Sequence, residues 1–266
     1  MIFPDPTALR DSRFFEDLQG KIEEHLQKSP DVQLKAFWDF DGTILNGDIS
    51  EGKRTGSQIH YRGMIDRSIL EGIVPNHEAS LEGVEKFWAK YSVDAEAGYH
   101  GTFYLGQVYA DLPLDVQTRI RSLSVKVYEE VSTYFFAFSL ELINFLNSKG
   151  VHSHVISASP ELFLKEVCSF LPIPMDRISG VNLDKERGRR VDPIFNYGDG
   201  KKDRMDHILR QSPKKAQPIL AIGNSWTVDG PMIRAACQTG GLGLLVNAGL
   251  AGADYQHKHF YRLNIA

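Results

Sequence analysis

Cysteine is scarce in this 266-residue chain, and long apolar runs are missing. Its two cysteines, Cys168 and Cys237, lie far apart and lack the spacing of a metal site, so we expect two buried thiols in a reducing compartment. Nowhere do about 18 apolar residues follow one another, and the first residues lack the pattern of a secretory signal. These absences predict a soluble, cytoplasmic protein with no membrane partner.

A strong charge of either sign is also missing. The formal net charge is -4, and no basic tract interrupts the sequence, so nucleic acid is not an expected partner. The hydrophobic fraction of 42% is that of a globular protein. A chain of this length can bury a full core, as one large domain or as a domain with a sizeable insert.

An apolar run from Leu34 to Trp38 ends in Asp39-Phe40-Asp41-Gly42-Thr43, which predicts a buried strand that leads into a turn. Asp39 and Asp41 are two residues apart, so on a strand their carboxylates share a face and repel one another unless a cation or a proton lies between them. The pair therefore indicates a divalent metal. Asp-Gly also caps many strands without any catalytic role, so the downstream sequence has to distinguish the two interpretations.

Strands and helices alternate in the second half of the chain. Strands are predicted at Val151–Ile156, Ile219–Ile222 and Leu242–Val246, the last of the series, and helices at Phe136–Ser148, Asp203–Leu209 and Pro231–Cys237. Such alternation predicts an α/β fold with a parallel sheet covered on both faces. Ser157 and Asn224 then follow strands in the same way as Asp39, at the sheet edge where ligands bind.

Two other regions have helical periodicity. Residues up to about Lys28 form an amphipathic segment with Leu9, Phe14, Leu18, Ile22 and Leu26 on one face. From Asn46 to about Thr133 no confident strand is found, which predicts a helical insert. The insert is rich in aromatic residues, which we expect to fill its own small core: Tyr61, Phe87, Trp88, Tyr91, Tyr99, Phe103, Tyr104 and Tyr109.

Four motifs in order, Asp39-Phe40-Asp41-Gly42-Thr43, Val155-Ile156-Ser157, Lys201 and Gly223-Asn224-Ser225 with Asp229, resemble the haloacid dehalogenase superfamily, in its phosphoserine-phosphatase-like branch. The resemblance implies a Rossmann-like three-layer core with an α-helical cap inserted between the first two motifs. The core would comprise residues 1–46 and 134–266, with residues 1–30 as an N-terminal helical extension. The cap would comprise residues 47–133.

The same resemblance implies the chemistry of a Mg²⁺-dependent phosphatase. Asp39 would attack phosphorus and become an aspartyl phosphate, and Asp41 would act as general acid and base. Lys201 would bring a positive charge to the nucleophile; Lys202 is the alternative, but apolar residues follow Lys201 at helical spacing. Phosphate binding is assigned to Gly42, Thr43, Ser157 and Ala158. Metal binding is assigned to Asp39, the backbone carbonyl of Asp41, Asn224 and Asp229, the last either directly or through water.

One residue departs from the family pattern. The fourth motif usually begins Gly-Asp, whereas this chain has Gly223-Asn224. An amide oxygen is a ligand that Mg²⁺ accepts, but it carries no negative charge, so we expect weaker metal binding. The substitution leaves open a catalytically degenerate binding or regulatory protein as an alternative.

The substrate is expected to be a small phosphorylated metabolite bound by a monomer or homodimer. In this branch a carboxylate soon after the first motif meets the substrate's ammonium group, and Asp48 stands at that offset with Glu51 beyond it. Arg54 and Arg62 are candidates for a substrate carboxylate. An aromatic lid would instead suit a phosphocholine-like quaternary ammonium. A phosphotransferase that uses the same intermediate with an alcohol acceptor is a further alternative.

Overall fold

A computed structural model describes residues 12–74, 77–96, 114–181 and 194–265. Its main feature is a six-stranded sheet of order β5-β4-β1-β6-β7-β8. The strands are β1 (Gln33–Trp38), β4 (His152–Pro160), β5 (Ile178–Val181), β6 (Ala216–Gly223), β7 (Leu242–Val246) and β8 (Phe260–Leu263). β1 pairs in parallel with both β4 and β6, and β7 pairs in parallel with β6 and β8. The predicted α/β fold with a parallel sheet is therefore confirmed.

The strands form where the sequence is continuously apolar. β1 is buried after its first residue and β7 along its whole length, as expected of parallel strands that are covered on both faces. One core cluster joins Phe37, Ile156 and Ala221 from the sheet to Met205 and Met232 from helices. β8 was not predicted; it adds a parallel strand beyond β7, the last strand expected from the sequence.

The helices around these strands are α1 (Arg13–Lys28), α5 (Ala137–Ser148), α6 (Glu161–Cys168), α7 (Asp199–Arg210) and α8 (Trp226–Gln238). α1 buries Phe14, Leu18 and Ile22 as predicted, but Leu26 is half exposed, and Leu9 lies outside the described residues. α8 begins at Trp226 rather than at Pro231, because the Ser225 side chain caps it by accepting a hydrogen bond from the Val228 N–H.

The region between β1 and β4 corrects one prediction. Besides α2 (Met64–Leu70), α3 (Leu81–Glu96) and α4 (Leu114–Val131), it contains an antiparallel hairpin of β2 (Gly52–Thr55) and β3 (Gln58–Arg62). These two strands were not expected from the sequence, because they are short and mostly solvent-facing and so lack an apolar run. The hairpin turns at Gly56, whose φ of 58° favours glycine.

Contacts between Cα atoms divide the chain into two compact units. The first comprises residues 1–44, 135–157 and 194–266, and the second residues 45–134 and 158–193. The second unit therefore contains α6 and β5 in addition to the insert. Within it Tyr61 and Phe87 are fully buried, as expected of core aromatics, while Tyr99, Phe103, Tyr104 and Tyr109 lie outside the described residues.

Both cysteines are free and buried, as the sequence predicts. Among the helices described, none has the length and apolar composition required to cross a membrane.

Candidate active site

Three neighbouring strands of the first unit bring the sequence motifs together. Trp38, the last residue of β1, pairs with Val155 of β4 on one side and with Ile222 of β6 on the other. Asp39 follows β1, and its N–H donates to the Ile222 carbonyl at 2.9 Å. Ser157 and Asn224 lie two residues beyond these partners, so all three motif residues occupy one edge of the sheet.

Asp39 is held at this edge by side chains from two directions. Its carboxylate is buried, with Oδ1 accepting from Lys201 Nζ at 2.5 Å and Oδ2 from Thr43 Oγ1 at 2.9 Å. The Thr43 carbonyl in turn accepts from Ser139 Oγ at 2.6 Å. Thr43 was predicted to bind phosphate. In the structure its hydroxyl donates a hydrogen bond to the Asp39 carboxylate.

Lys201, the third residue of α7, is 1% exposed and bridges two carboxylates. Its Nζ lies 2.6 Å from Asp229 Oδ1 as well as 2.5 Å from Asp39 Oδ1. Lys202 instead pairs with Asp206 on the partly exposed side of the same helix, at 2.8 Å. The helix therefore directs Lys201, and not its neighbour, toward Asp39.

Lys201, Asp39 and Asp229 form a buried charged triad, and its electrostatics favour an additional cation. Burial is the largest effect on Asp39 and, with the nearby Asp229 charge, raises the pKa of this carboxyl to about 7. Burial alone would lower the pKa of Lys201, but Asp229 and Asp39 outweigh it and raise this pKa above its ordinary value. With all three groups ionised the buried triad carries one net negative charge. Such a site is stabilised by a proton or by a bound cation.

Asp41 is half buried, and Ser157 Oγ lies 3.4 Å from its Oδ2. Ser157 is almost completely buried, and Ala158 follows it in β4 and is half buried. The hydroxyl of Ser157 thus lies beside the second acid of the pair, which agrees with a common role for both residues around one ligand.

Asn224 packs directly against the turn after β1. Gly42 has φ of 75°, and a Cβ added there would lie 1.9 Å from Asn224 Nδ2. Gly42 is thus required both by backbone conformation and by the close approach of the amide. The Gly42 turn and the β6 end consequently form one wall of the site.

Asp229 has protein partners at both of its carboxylate oxygens. Its Oδ2 accepts from the backbone N–H groups of Asn224 and Ser225, at 3.0 and 2.9 Å, while Oδ1 accepts from Lys201. A Cβ on Gly223 would lie 2.4 Å from the Asp229 carboxyl carbon, so glycine permits this packing. Both oxygens of Asp229 are therefore engaged in fixing Lys201 and the Asn224 backbone.

The residues present fit a magnesium ion by their donor chemistry. In the part of the chain described, no cluster of three or more His, Cys, Asp or Glu side chains has the spacing of a metal site. The oxygen donors at the sheet edge are instead two carboxylates, Asp39 and Asp41, and the Asn224 amide. Oxygen ligands and a buried excess of negative charge are what Mg²⁺ requires, with the remaining positions filled by water or substrate.

The residues predicted to bind the substrate's distal part lie in the second unit and have protein partners. Asp48 Oδ1 accepts from the N–H groups of Ser50 and Glu51, at 2.7 and 2.8 Å. Glu51 Oε1 accepts from the Tyr91 hydroxyl at 2.9 Å. Asp48 therefore shapes the turn that leads into β2.

Arg62 belongs to a cluster that the sequence did not reveal. The fully buried Asp66 accepts from Arg54 Nη2 at 2.8 Å and Arg62 Nη1 at 3.0 Å, and its other oxygen accepts from Trp88 Nε1 at 2.6 Å. The Arg62–Asp66 spacing of one helical turn is the only local sign of this cluster, and such pairs are common on solvated helix surfaces.

Comparison with protein families identifies the chain. A family model described as haloacid dehalogenase-like hydrolase matches residues 36–234. The protein belongs to this family. The predicted superfamily and the predicted hydrolase class are thereby confirmed, and the matched region contains every motif residue of the site.

Solved structures show the same fold at low sequence identity. This haloacid dehalogenase-like protein has a TM-score of 0.62 and 11% identity to a protein of unknown function from Bordetella pertussis Tohama I, covering 81% of this chain and 91% of that one. A functionally unknown protein from Anaerococcus prevotii DSM 20548 has a TM-score of 0.54 and 12% identity, with 88% of this chain and 85% of that chain covered. Cytosolic 5'-nucleotidase IIIB bound to cytidine has a TM-score of 0.50 and 18% identity, with 91% of this chain and 84% of that chain covered. A search of curated protein sequences found no match.

Proposed function

We propose that this protein is a Mg²⁺-dependent phosphatase that hydrolyses a small phosphomonoester through an aspartyl phosphate on Asp39. The observation that carries the proposal is the buried Asp39 carboxylate, held by Lys201 at 2.5 Å and Thr43 at 2.9 Å, with Asp41 two residues away. A nucleophile for phosphoryl transfer must be positioned and electrostatically supported before the substrate arrives, because the transition state is stabilised mainly by position and charge.

In the first half of the reaction, Asp39 Oδ attacks phosphorus as the bond from phosphorus to the leaving oxygen breaks. Asp41 gives that oxygen its proton, so an alcohol leaves. In the second half, Asp41 takes a proton from water, the water oxygen attacks phosphorus, and the bond to Asp39 breaks to release phosphate. Ser157 donates a hydrogen bond to a phosphoryl oxygen, and Lys201 neutralises charge that develops near Asp39.

Asp39, the backbone carbonyl of Asp41 and the Asn224 amide would hold the metal, and Asp229 would support it by fixing the Asn224 backbone. When bound, Mg²⁺ supplies positive charge to the phosphate and keeps Asp39 ionised at neutral pH. Asn224 contributes no charge, so metal affinity is expected to be lower than with an aspartate at this position.

The family resemblance also points to a substrate class. The resemblance to the phosphoserine-phosphatase-like branch, in which a carboxylate at the offset of Asp48 meets the substrate's ammonium group, supports an amine-bearing phosphomonoester. Phosphoserine-like and phosphocholine-like compounds are therefore the first substrates to test. A nucleoside 5'-monophosphate joins them because one protein of similar fold is a 5'-nucleotidase.

The test is phosphate release from a panel of phosphomonoesters, with and without Mg²⁺. We expect hydrolysis that depends on Mg²⁺ and that disappears in Asp39→Asn, which removes the nucleophile and leaves the side-chain volume unchanged. Retained turnover in that folded variant would refute the covalent mechanism. Added alcohols distinguish hydrolysis from phosphoryl transfer, because a transferase forms a new phosphate ester in their presence.

The specific observation that favours a non-catalytic protein is Asn224 in place of the usual aspartate. If the wild-type protein hydrolysed no member of the panel while Asn224→Asp was active, the binding-only alternative would replace the phosphatase.

A further inference from the structure

The start of α7 lacks an ordinary cap. The residue before the helix, Gly198, has φ of 56° and gives no side-chain hydrogen bond to the first turn. Yet this first turn carries Lys201, whose ammonium must lie within hydrogen-bond distance of two buried carboxylates. Helix ends without caps fray, so other contacts are needed to fix the turn.

Arg204, one helical turn after Lys201, supplies such contacts. Its Nε donates to Asn196 Oδ1 at 2.9 Å, and its Nη2 donates to the Ile194 carbonyl at 3.1 Å. Arg204 is 7% exposed and Asn196 is fully buried. The guanidinium therefore joins the helix to the segment that precedes it. Its planar group presents two N–H donors at once, one to each of these acceptors.

The backbone of the preceding segment lies against the first turn of α7. A Cβ added to Gly200 would lie 1.6 Å from the Phe195 carbonyl oxygen, so the chain crosses here in direct contact. The Gly200 N–H donates to the Tyr197 carbonyl and the Lys201 N–H to the Gly198 carbonyl, each at 3.0 Å. The segment from Ile194 to Gly198 is thus a brace for the residue that carries the ammonium.

We propose that Arg204 and Asn196 are positioning residues, which hold this brace on α7 and thereby direct Lys201 at Asp39 and Asp229. The proposal rests on the phosphatase function proposed above, in which Lys201 supports the nucleophile. A displacement of a catalytic group by about 1 Å costs on the order of 100-fold in rate, so a brace without any contact to substrate is able to control turnover.

The test compares Arg204→Gln and Asn196→Ala with wild type, using p-nitrophenyl phosphate, Mg²⁺ and phosphate-release kinetics, together with thermal melts. We expect kcat to fall about 10- to 100-fold while KM stays within about threefold, because the phosphate contacts of Ser157 are unchanged. Arg210→Gln is the matched control: Arg210 is an exposed arginine on the same helix, and its loss should leave kcat unchanged.

A purely structural role is separated from positioning by Arg204→Lys. This variant keeps the positive charge but replaces the fork with a single ammonium, so we expect its melting temperature to recover more than its kcat. If Arg204→Gln fails to fold, Asn196→Ala, which removes the acceptor of the Arg204 Nε hydrogen bond, carries the comparison.

Two results would overturn the inference: a folded Arg204 or Asn196 variant with kcat within about twofold of wild type, or a kcat that recovers in parallel with melting temperature in Arg204→Lys. Either result leaves the proposed function intact as long as wild type is active and Lys201→Met is not. An inactive wild type would instead remove the proposed function itself.

Discussion

Replacing Asp39 with Asn is expected to abolish turnover and also to stabilise the metal-free protein at mildly alkaline pH. The reason is the environment of the carboxylate. Burial and the Asp229 charge raise the pKa of Asp39 from 3.8 to about 7, in spite of the opposing effect of Lys201. At mildly alkaline pH the Asp39 carboxylate is therefore ionised against the preference of the folded protein, and removing its charge leaves Lys201 and Asp229 as a neutral buried pair.

The sign of the pH dependence follows from where the proton is bound. Between about pH 4 and pH 7 the folded protein retains a proton on Asp39 that the unfolded chain has released, so the free energy of unfolding falls as pH rises through this window. The pKa difference of 7 minus 3.8, about 3 units, corresponds to an upper limit of about 4 kcal/mol. Asp39→Asn lacks this titration, so its advantage over wild type should grow from near zero at about pH 4 to about 1–4 kcal/mol at about pH 8.

Urea denaturation followed by circular dichroism, in EDTA and at several pH values across this window, measures the effect. Asp203→Asn is the matched control, because Asp203 is an exposed carboxylate on α7, the helix that carries Lys201. Added Mg²⁺ should reduce the advantage of the variant, since a ligand that binds the folded wild type stabilises it. An Asp39→Asn protein that is less stable than wild type at about pH 8, or a difference that does not change with pH, would contradict this account of the site.

Three other substitutions test individual contacts. Lys201→Met leaves Asp39 and Asp229 without their shared cation, so we expect loss of phosphate release and a fall of about 3–5 kcal/mol in the free energy of unfolding at about pH 8, measured in urea; a stability equal to wild type would contradict the ion-pair argument. Asn224→Asp adds a charged oxygen ligand, and the Mg²⁺ concentration for half-maximal activity should fall about tenfold; an unchanged requirement would mean that this side chain is not a ligand. Gly42→Ala places a Cβ against the Asn224 amide at a φ of 75°, so we expect about 1–3 kcal/mol of destabilisation in thermal melts together with lower activity, and a neutral effect would show that the turn relaxes freely.

The strands of the core were predictable because their cause is local. An apolar run such as Leu34–Trp38 followed by Asp-Gly specifies both a buried strand and its end, and β7 was predicted with the bounds that the structure has. The β2–β3 hairpin was missed because its side chains are mostly exposed, and β8 because Phe260–Leu263 is short and only partly buried. Where a strand gains little from burial, pairing with a neighbour decides its conformation, and that neighbour is not encoded locally.

The candidate site likewise has features that the sequence predicts and features that it does not. The sequence alone determined the family motifs, their order and the strand ends that Asp39 and Asn224 follow, because apolar patterning and turn residues mark where these strands end; β4 instead continues past Ser157 to Pro160. Only the tertiary structure decided that Lys201 and not Lys202 meets Asp39, and that Asp229 serves Lys201 and the Asn224 backbone. It also decided that the Arg204 guanidinium braces the helix. These outcomes depend on distances between residues that are far apart in the chain. They also depend on burial, which strengthens the attraction between opposite charges. A local sequence pattern contains neither kind of information.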